Sequence, residues 1–360
     1  MSDILSFEEF TDKVREDIRS FLPPELDGAE IRVAERFKLN DSYRGLTIAK
    51  EDQHLSPAIN LDEAYGEYLR TGELTPVLRT IAEIAMMPAE GVNVEALEDY
   101  DQAKEKLFIR VSNAETNRGV LENVPHETVG DLAITYHVMV DRDNEEIGSA
   151  MVTNELLKKY GISAEQLKED AMENSAKILS PLLEPMNKVM ERMMGFEGFE
   201  TRQVPFEQAV EDFSFHDENM FVLTNTCAVN GAAVIFYPEV MEQLGEKAGG
   251  DLYIIPSSIH EVILVPDDGV MERDSLESII REINSYELAP KDKLSDTLYH
   301  YDSRDHLLER AVDFEERMEM EHAIARNVEK VSIKDRLKDA EAKVNGQTAP
   351  SRPVRVQAIE

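Results

Sequence analysis

The sequence predicts an α+β protein: a mixed, mainly antiparallel sheet packed by helices, with a helical N-terminal unit and a charged helical C-terminus. Three observations lead to this fold class. Apolar residues recur at helical spacing near the N-terminus, alternating strands follow in the middle, and a strand–turn–strand–helix order repeats after Phe221. The 360 residues, 42% of them hydrophobic, are enough for a sizeable core.

Residues 1–105 are predicted to form a mostly helical unit with one hairpin. Ser6 and Glu9 make a capping box ahead of the first apolar stripe. The segment EIRVAERFKLNDSYRGLTIAK predicts two strands around a turn at Asn40–Asp41. Two helices follow, and Gly72 ends the first of them.

Residues 106–302 are predicted to form an α+β core. The strand LFIRVS precedes a longer strand over residues 131–140, whose side chains alternate between two faces. Gly161 suits the left-handed position that ends a helix, and Ser163 with Gln166 forms a capping box for the next one.

Two hairpins are predicted after this point. Asn230–Gly231 is a strong two-residue hairpin signal between FVLTNTCAV and AAVIFY. That register pairs Cys227 with Val234, Asn225 with Phe236, and Thr226 with Ile235. The second hairpin is DLYIIPSSIHEVILVPDD, and a closing helix begins near Asp274.

The C-terminal part is highly charged. Residues 303–345 are predicted to form amphipathic helices, because apolar residues step by three and four from Leu307 to Met318. Ser332 with Asp335 is a candidate cap for a last short helix. Residues 346–360 are predicted to be a disordered tail.

The net charge of −35 comes from 73 acidic and 38 basic residues. It favours a solvated acidic surface and argues against direct nucleic-acid binding, which depends on Lys and Arg neutralising phosphates. One sharper alternative stays open, an acidic DNA mimic that occupies the DNA site of another protein.

No apolar run approaches the ~20 residues of a membrane span, and the acidic start MSDILSFEEF is unlike a secretory signal. Cys227 is the only cysteine, which fits a reducing, cytoplasmic setting.

The motif Ser-Ser-x-His-Glu in the second hairpin is the main catalytic candidate. In a hydrolase, a hydroxyl from Ser257 or Ser258 would stand near the His260 imidazole, and Glu261 would orient it. The favoured alternative is an ordinary turn, because Pro and Ser form turns through fixed φ and side-chain-to-backbone bonds. Glycine-rich phosphate loops, nucleophile elbows and zinc-protease motifs are all missing, and no cofactor is expected.

Three separated polar groups could form a metal site if they met in space. They are PHETVGD with His126, the turn with His260, and LSDTLYHYDSRDH with His300. These three histidines are the candidate ligands, beside the expectation that no metal binds. His137 is predicted to be a packed core residue, and Cys227 a buried structural one.

Four methionines, Met186, Met190, Met193 and Met194, form a stripe at helical spacing. Ordinary core is the favoured interpretation. A groove for a partner is the alternative, because methionine adapts to varied surfaces.

Five segments resemble an uncharacterised bacterial family. They are SPAINLDEAYGEYLRTG, NVPHETVGDLAITYHVMVD, FVLTNTCAVNGAAVIFYP, DLYIIPSSIHEVILVPDD and LSDTLYHYD. The resemblance covers about residues 30–305 and points to a domain-of-unknown-function family of Gram-positive anaerobes, often encoded near mobile-element genes. The segment order also resembles a second uncharacterised cytosolic family of bacilli. The resemblance implies a cytoplasmic bacterial protein and assigns no catalytic residue.

The preferred hypothesis is a non-enzymatic, acidic interaction protein whose partner is a protein. The alternatives are a hydrolase or metal-dependent enzyme centred on His260, and the DNA mimic.

Overall fold

The computed structural model describes residues 4–50, 58–86, 97–142, 147–195, 205–212, 215, 220–256, 258–286 and 288–345. Within these residues, three antiparallel sheets are packed by helices, which confirms the α+β fold. The chain divides into two compact units, Met1–Arg310 and Ala311–Glu360.

The N-terminal elements form the first sheet, in the order β1-β2-β3, and cover it with helices. The predicted capping box is present, and the predicted turn places Asn40 at a left-handed φ of 62°. The element bounds are α1 (Phe7–Asp17), β1 (Glu30–Lys38), β2 (Asp41–Ala49), β3 (Ala58–Asn60), α2 (Leu61–Thr71) and α3 (Leu74–Met86). Their apolar faces make one core, in which Phe10, Leu46 and Ile81 are buried.

The second sheet has the order β4-β6-β5, with β7 also paired to β6. The predicted helix end at Gly161 is confirmed by its left-handed φ of 67°. Of the predicted Ser163–Gln166 capping box only one half forms: the Ser163 hydroxyl accepts the Gln166 N–H, whereas the Gln166 side chain donates to Asp170. The bounds are α4 (Tyr100–Ala103), β4 (Leu107–Asn113), α5 (Arg118–Leu121), β5 (His126–Val129), β6 (Leu132–Arg142), β7 (Ile147–Met151), α6 (Asn154–Tyr160) and α7 (Ala164–Ile178).

The third sheet has six strands in the order β13-β12-β10-β11-β9-β8. Its apolar side chains share a core with the second sheet and α7. The bounds are β8 (Pro181–Pro185), α8 (Met186–Met193), α9 (Phe206–Asp212), β9 (Phe221–Asn225), α10 (Val240–Ala248), β10 (Leu252–Ile255), β11 (Val262–Pro266), α11 (Arg273–Tyr286), β12 (Tyr299–Asp302) and β13 (Leu307–Arg310).

The hairpin predicted at Asn230–Gly231 is wrong. Residues Gly231–Phe236 form a 3₁₀ helix, so the pairing of Cys227 with Val234 does not occur. The reason is competition for strand edges: β9 already pairs with β8 on one side and with β11 on the other. Only Asn230 keeps the left-handed conformation, with a φ of 54°, and it is the N-cap residue of the 3₁₀ helix.

The C-terminal helix begins later than the apolar spacing predicts. Leu307 lies in β13, which pairs with β12, and α12 (Ala311–Asn345) follows it as one continuous helix. Ser332 therefore lies inside α12 and does not begin a separate helix. The tail predicted for residues 346–360 lies outside the described residues.

The described helices include no candidate for a membrane span: none combines the required length with a sufficiently apolar sequence.

Candidate functional site

The described part of the Ser-Ser-x-His-Glu motif, Ser258–Glu261, lies in the turn between β10 and β11, as the sequence predicts. The strands pair antiparallel up to Ile255 opposite Ile263. Ser258 is buried, and its hydroxyl accepts the backbone N–H of His260 at 3.0 Å. Ser257 lies outside the described residues. The Ser258 side chain therefore closes the turn through a side-chain-to-backbone bond.

The His260 imidazole is held from both sides. Its Nδ1 accepts the backbone N–H of Asn230 at 3.3 Å, which places the ring proton on Nε2. Nε2 lies 3.4 Å from Asp292 Oδ1 and donates to it. A general base needs a nitrogen lone pair within reach of its substrate, and here the Nδ1 lone pair faces a backbone amide. The Ser258 hydroxyl is thus bonded to the backbone of His260, whereas the imidazole is bonded to Asn230 and Asp292.

Glu261 is half-buried beside the same turn. Burial raises the pKa of its carboxyl; the neighbouring His260 lowers it and the Asp292 carboxylate raises it. The net pKa lies above its ordinary value, so the fold disfavours the ionised form.

The three candidate metal-binding histidines have different partners. His126 is exposed at the start of β5, with Nδ1 3.0 Å from the Val124 carbonyl oxygen. His300 is fully buried in β12, and its Nε2 lies 3.1 Å from Asp267 Oδ2. In the parts of the chain described above, no three His, Cys, Asp or Glu residues are grouped so that they could hold a metal ion.

Two of the polar groups do meet, at Asp131. Its Oδ1 accepts the Tyr299 hydroxyl at 2.7 Å, and its Oδ2 accepts the hydroxyl of Ser295 at 2.7 Å and the side-chain amide of Asn113 at 3.2 Å. Burial raises the pKa of Tyr299, so its hydroxyl stays a donor. PHETVGD and LSDTLYHYD are therefore joined through a hydrogen-bonded junction in which every donor has an acceptor.

A further group of polar residues, most of them buried, lies on the second sheet, on the face opposite α7. Arg110, Thr135 and His126 stand on one rung across β4, β6 and β5. His137 is two residues along β6 on the same face; it is buried as predicted, and its Nε2 lies 3.0 Å from Thr135 Oγ1. We call Arg110, Ser112, Thr135 and His137 the polar face. The alternation Phe-x-Arg-x-Ser in LFIRVSN signals it, but only strand pairing assembles it.

Asn230 connects the polar face to the turn. The Arg110 guanidinium Nη2 donates to Asn230 Oδ1 at 2.7 Å, and the Asn230 backbone donates to His260. Gly231 is required beside it, because an added Cβ would lie 2.7 Å from the Asn225 nitrogen. Arg110, Asn230, His260 and Asp292 thus form one continuous chain of contacts.

Three of the four methionines in the stripe are exposed, so the interpretation as ordinary core is wrong for them; Met186 is half-buried. Met190 is 48% exposed, Met193 is 81% exposed and Met194 is 67% exposed. The helix that carries them is held to β8 by the guanidinium of Arg192, whose two nitrogens each lie 3.0 Å from a carboxylate oxygen of Glu184. Met190 and Met193 on α8, together with Met194, which directly follows the helix, are called the methionine surface below. Cys227 is half-buried, less than predicted.

An open groove of about 640 Å³ lies on the N-terminal sheet. Phe7 and Tyr43 line it together with the charged residues Arg15, Arg44 and Asp62, and the Arg44 guanidinium lies 4.7 Å from the centre of the Phe7 ring. Its walls carry both signs of charge and none of the candidate residues above.

Comparison with known proteins gives a family and no function. The model of a family described as a family of unknown function (DUF5688) matches residues 7–303. No curated protein and no solved structure matches the chain.

Proposed function

From the premise that this chain belongs to the DUF5688 family of unknown function, we propose that it is a non-enzymatic interaction protein whose methionine surface binds another protein. The observation that carries the proposal is the exposure of three methionines at the end of one short helix. Contiguous apolar side chains on a surface mark interaction sites more often than scattered ones do.

The methionine surface is suited to binding in two ways. Methionine side chains are unbranched and polarisable, so they can adapt to the shape of an apolar partner segment. The Arg192–Glu184 contact fixes the helix below them, which reduces the ordering needed on binding.

The charge of the chain indicates the chemistry of the partner. A net charge of −35 attracts basic proteins and repels acidic ones. The partner we propose therefore carries an apolar segment flanked by Lys and Arg. Its apolar residues would contact the methionine surface, and its flanks would increase the association rate.

The test compares partner capture by three purified, tagged proteins: the wild type, the triple variant Met190→Gln, Met193→Gln, Met194→Gln, and a control. The control, Leu69→Gln with Met86→Gln, removes exposed apolar residues from other helices. We expect a partner that binds the wild type and the control and is lost from the triple variant. Circular dichroism and thermal unfolding confirm that all three are folded.

The salt dependence of capture tests separately whether the partner is basic. Raising ionic strength from about 0.1 to about 1 M shortens the Debye length from about 10 to about 3 Å, so capture of a basic partner should weaken. The same partners on the wild type and on the triple variant would refute the proposal. A partner that binds through the methionine surface without salt dependence would refute its basic character.

The cellular setting is part of the proposal. The resemblance to families of Gram-positive bacteria supports a cytoplasmic protein that serves as an accessory of a mobile element. Genes of integrated or plasmid elements next to the family's genes, in most genomes that carry it, would support this setting. Consistent placement among housekeeping genes would argue against it.

A further inference from the structure

Arg110 is a partly buried cation on the polar face. Burial lowers the pKa of its guanidinium to about 10, so the side chain still carries its charge at neutral pH. Burial, together with the charge of Arg110, also holds the pKa of His137 well below its ordinary value, so His137 is neutral there. The polar face therefore carries one positive charge from Arg110 and none from His137.

No carboxylate of the described residues lies within ion-pair distance of this guanidinium. Arg110 has one side-chain hydrogen bond in this part of the chain, to the neutral amide oxygen of Asn230 at 2.7 Å. A guanidinium has five N–H donors, and buried charges in proteins are usually paired with an opposite charge. In a chain with 73 acidic residues, the missing counter-ion is a specific feature of this position.

Ser112 gives a second, independent observation. It lies two residues from Arg110 on β4, so both side chains are on the same face of the sheet. Its residue exposure is 1%, and its hydroxyl has no hydrogen-bond partner in the structure. A buried hydroxyl without a partner is uncommon and costs about 1–3 kcal/mol. An acceptor that contacts both side chains would satisfy the Ser112 hydroxyl and supply the counter-charge that Arg110 lacks.

We propose that Arg110 and Ser112 form a binding site for an oxyanion, a carboxylate or phosphate group carried by a small molecule. The planar guanidinium fork matches the paired oxygens of both groups, and the Ser112 hydroxyl donates to a further oxygen. Arg110 is only partly buried, so the ligand reaches it from solvent. This site is separate from the methionine surface and does not depend on the proposed function.

The test is calorimetric titration of the full chain with inorganic phosphate, and separately with succinate, at constant ionic strength set with chloride. We expect one of these probes to bind the wild type, and the one that binds identifies the class of ligand. Arg110→Gln should weaken binding by at least about tenfold, and Arg110→Lys should weaken it less because the charge stays while the fork is lost. Ser112→Ala should weaken it by a smaller factor.

Asn230→Asp is the sharpest variant. It keeps the shape of the side chain and places a carboxylate against Arg110, at the position where the amide oxygen now accepts at 2.7 Å. An internal counter-ion should abolish oxyanion binding while the protein stays folded. Arg79→Gln is the matched control, because Arg79 is an exposed arginine on α3.

Three results would overturn the assignment. Neither probe binding the wild type at about 10 mM, beyond the effect of chloride, would remove the site. Equal binding by the wild type and Asn230→Asp would place the anion elsewhere, and unchanged affinity in Ser112→Ala would remove the second donor. If Arg110→Gln fails to fold, Arg110→Lys and Asn230→Asp keep the test decisive.

Discussion

Asn40 and Asn117 exchange two hydrogen bonds. The Asn40 backbone N–H donates to Asn117 Oδ1 at 2.6 Å, and the Asn117 side-chain amide donates to Asn40 Oδ1 at 2.6 Å. Asn40 also donates to the Lys291 carbonyl, one residue before Asp292. The tip of the β1–β2 hairpin is thus fastened both to the loop after β4 and to the segment that holds His260.

Asn117→Ala should therefore destabilise the protein by about 1–3 kcal/mol, because it removes a buried side chain and leaves polar groups without partners. Urea unfolding measures the change in the free energy of unfolding. Asn123→Ala is the control, since Asn123 is exposed and donates one local bond to the Gly119 carbonyl. Equal stability of the two variants would show that the exchange contributes little.

Gly130→Ala should destabilise by about 1–3 kcal/mol or more. Gly130 has a left-handed φ of 58°, and a Cβ there would collide with the Tyr299 hydroxyl and lie 2.8 Å from Arg310 Cγ. Gly66→Ala in α2 is the matched control, because its Cβ would meet open space and a helix favours alanine. We expect the midpoint temperature of thermal unfolding to fall for Gly130→Ala and to rise for Gly66→Ala. A neutral Gly130→Ala would contradict the close approach.

Glu261 should make the protein less stable as pH rises. Its folded-state pKa is raised, so the folded state binds the proton more tightly than the unfolded state does. The free energy of unfolding therefore falls as pH increases from the ordinary value, 4.5, through the raised value. Glu261→Gln should remove this fall and leave the variant more stable than the wild type at pH 7. Glu63→Gln, on the exposed side of α2, is the control in unfolding measured from pH 4 to pH 7.

His137 should act in the opposite direction. Its folded-state pKa lies well below 6.5, so below that pH the unfolded state takes up a proton that the folded state does not. The free energy of unfolding therefore falls by about 1.4 kcal/mol for each pH unit below about 6.5, until the folded state also takes up the proton. His137→Gln should flatten the unfolding free energy between pH 7 and pH 5, even if it lowers stability overall. His126→Gln, at an exposed position, is the comparison, and parallel profiles for the two variants would contradict the argument.

Local structure was predictable from the sequence wherever a few neighbouring residues determine it. The capping side chain of Ser6, the left-handed Gly161 and the β10–β11 hairpin all depend on contacts within a few residues. The Asn230–Gly231 hairpin failed because β8 and β11, which lie far away in the chain, occupy both edges of β9.

The candidate sites show the same limit. The polar character of Arg110 and Ser112 is visible in one strand, but the missing counter-ion of Arg110 and the unbonded hydroxyl of Ser112 are properties of the assembled sheet. The spacing of the methionines predicted correctly that they share one face of a helix. It did not predict that this face is exposed, because periodicity does not say which side of a helix is covered. The Asp131 junction could not be predicted, because it depends on the contact between Asp131 and Tyr299, which lie far apart in the chain and are linked by no local pattern.

The position of Asn230 also bears on how the molecule ages. Asparagine is a thermolabile residue, and before glycine it can deamidate: the glycine nitrogen attacks the side-chain amide, ammonia leaves and water reopens the ring to a carboxylate. At residue 230 this slow reaction would deliver a negative charge against Arg110. Old molecules would then differ from newly made ones by one charge at the polar face, a mass increase of about one unit that intact-protein mass spectrometry can follow.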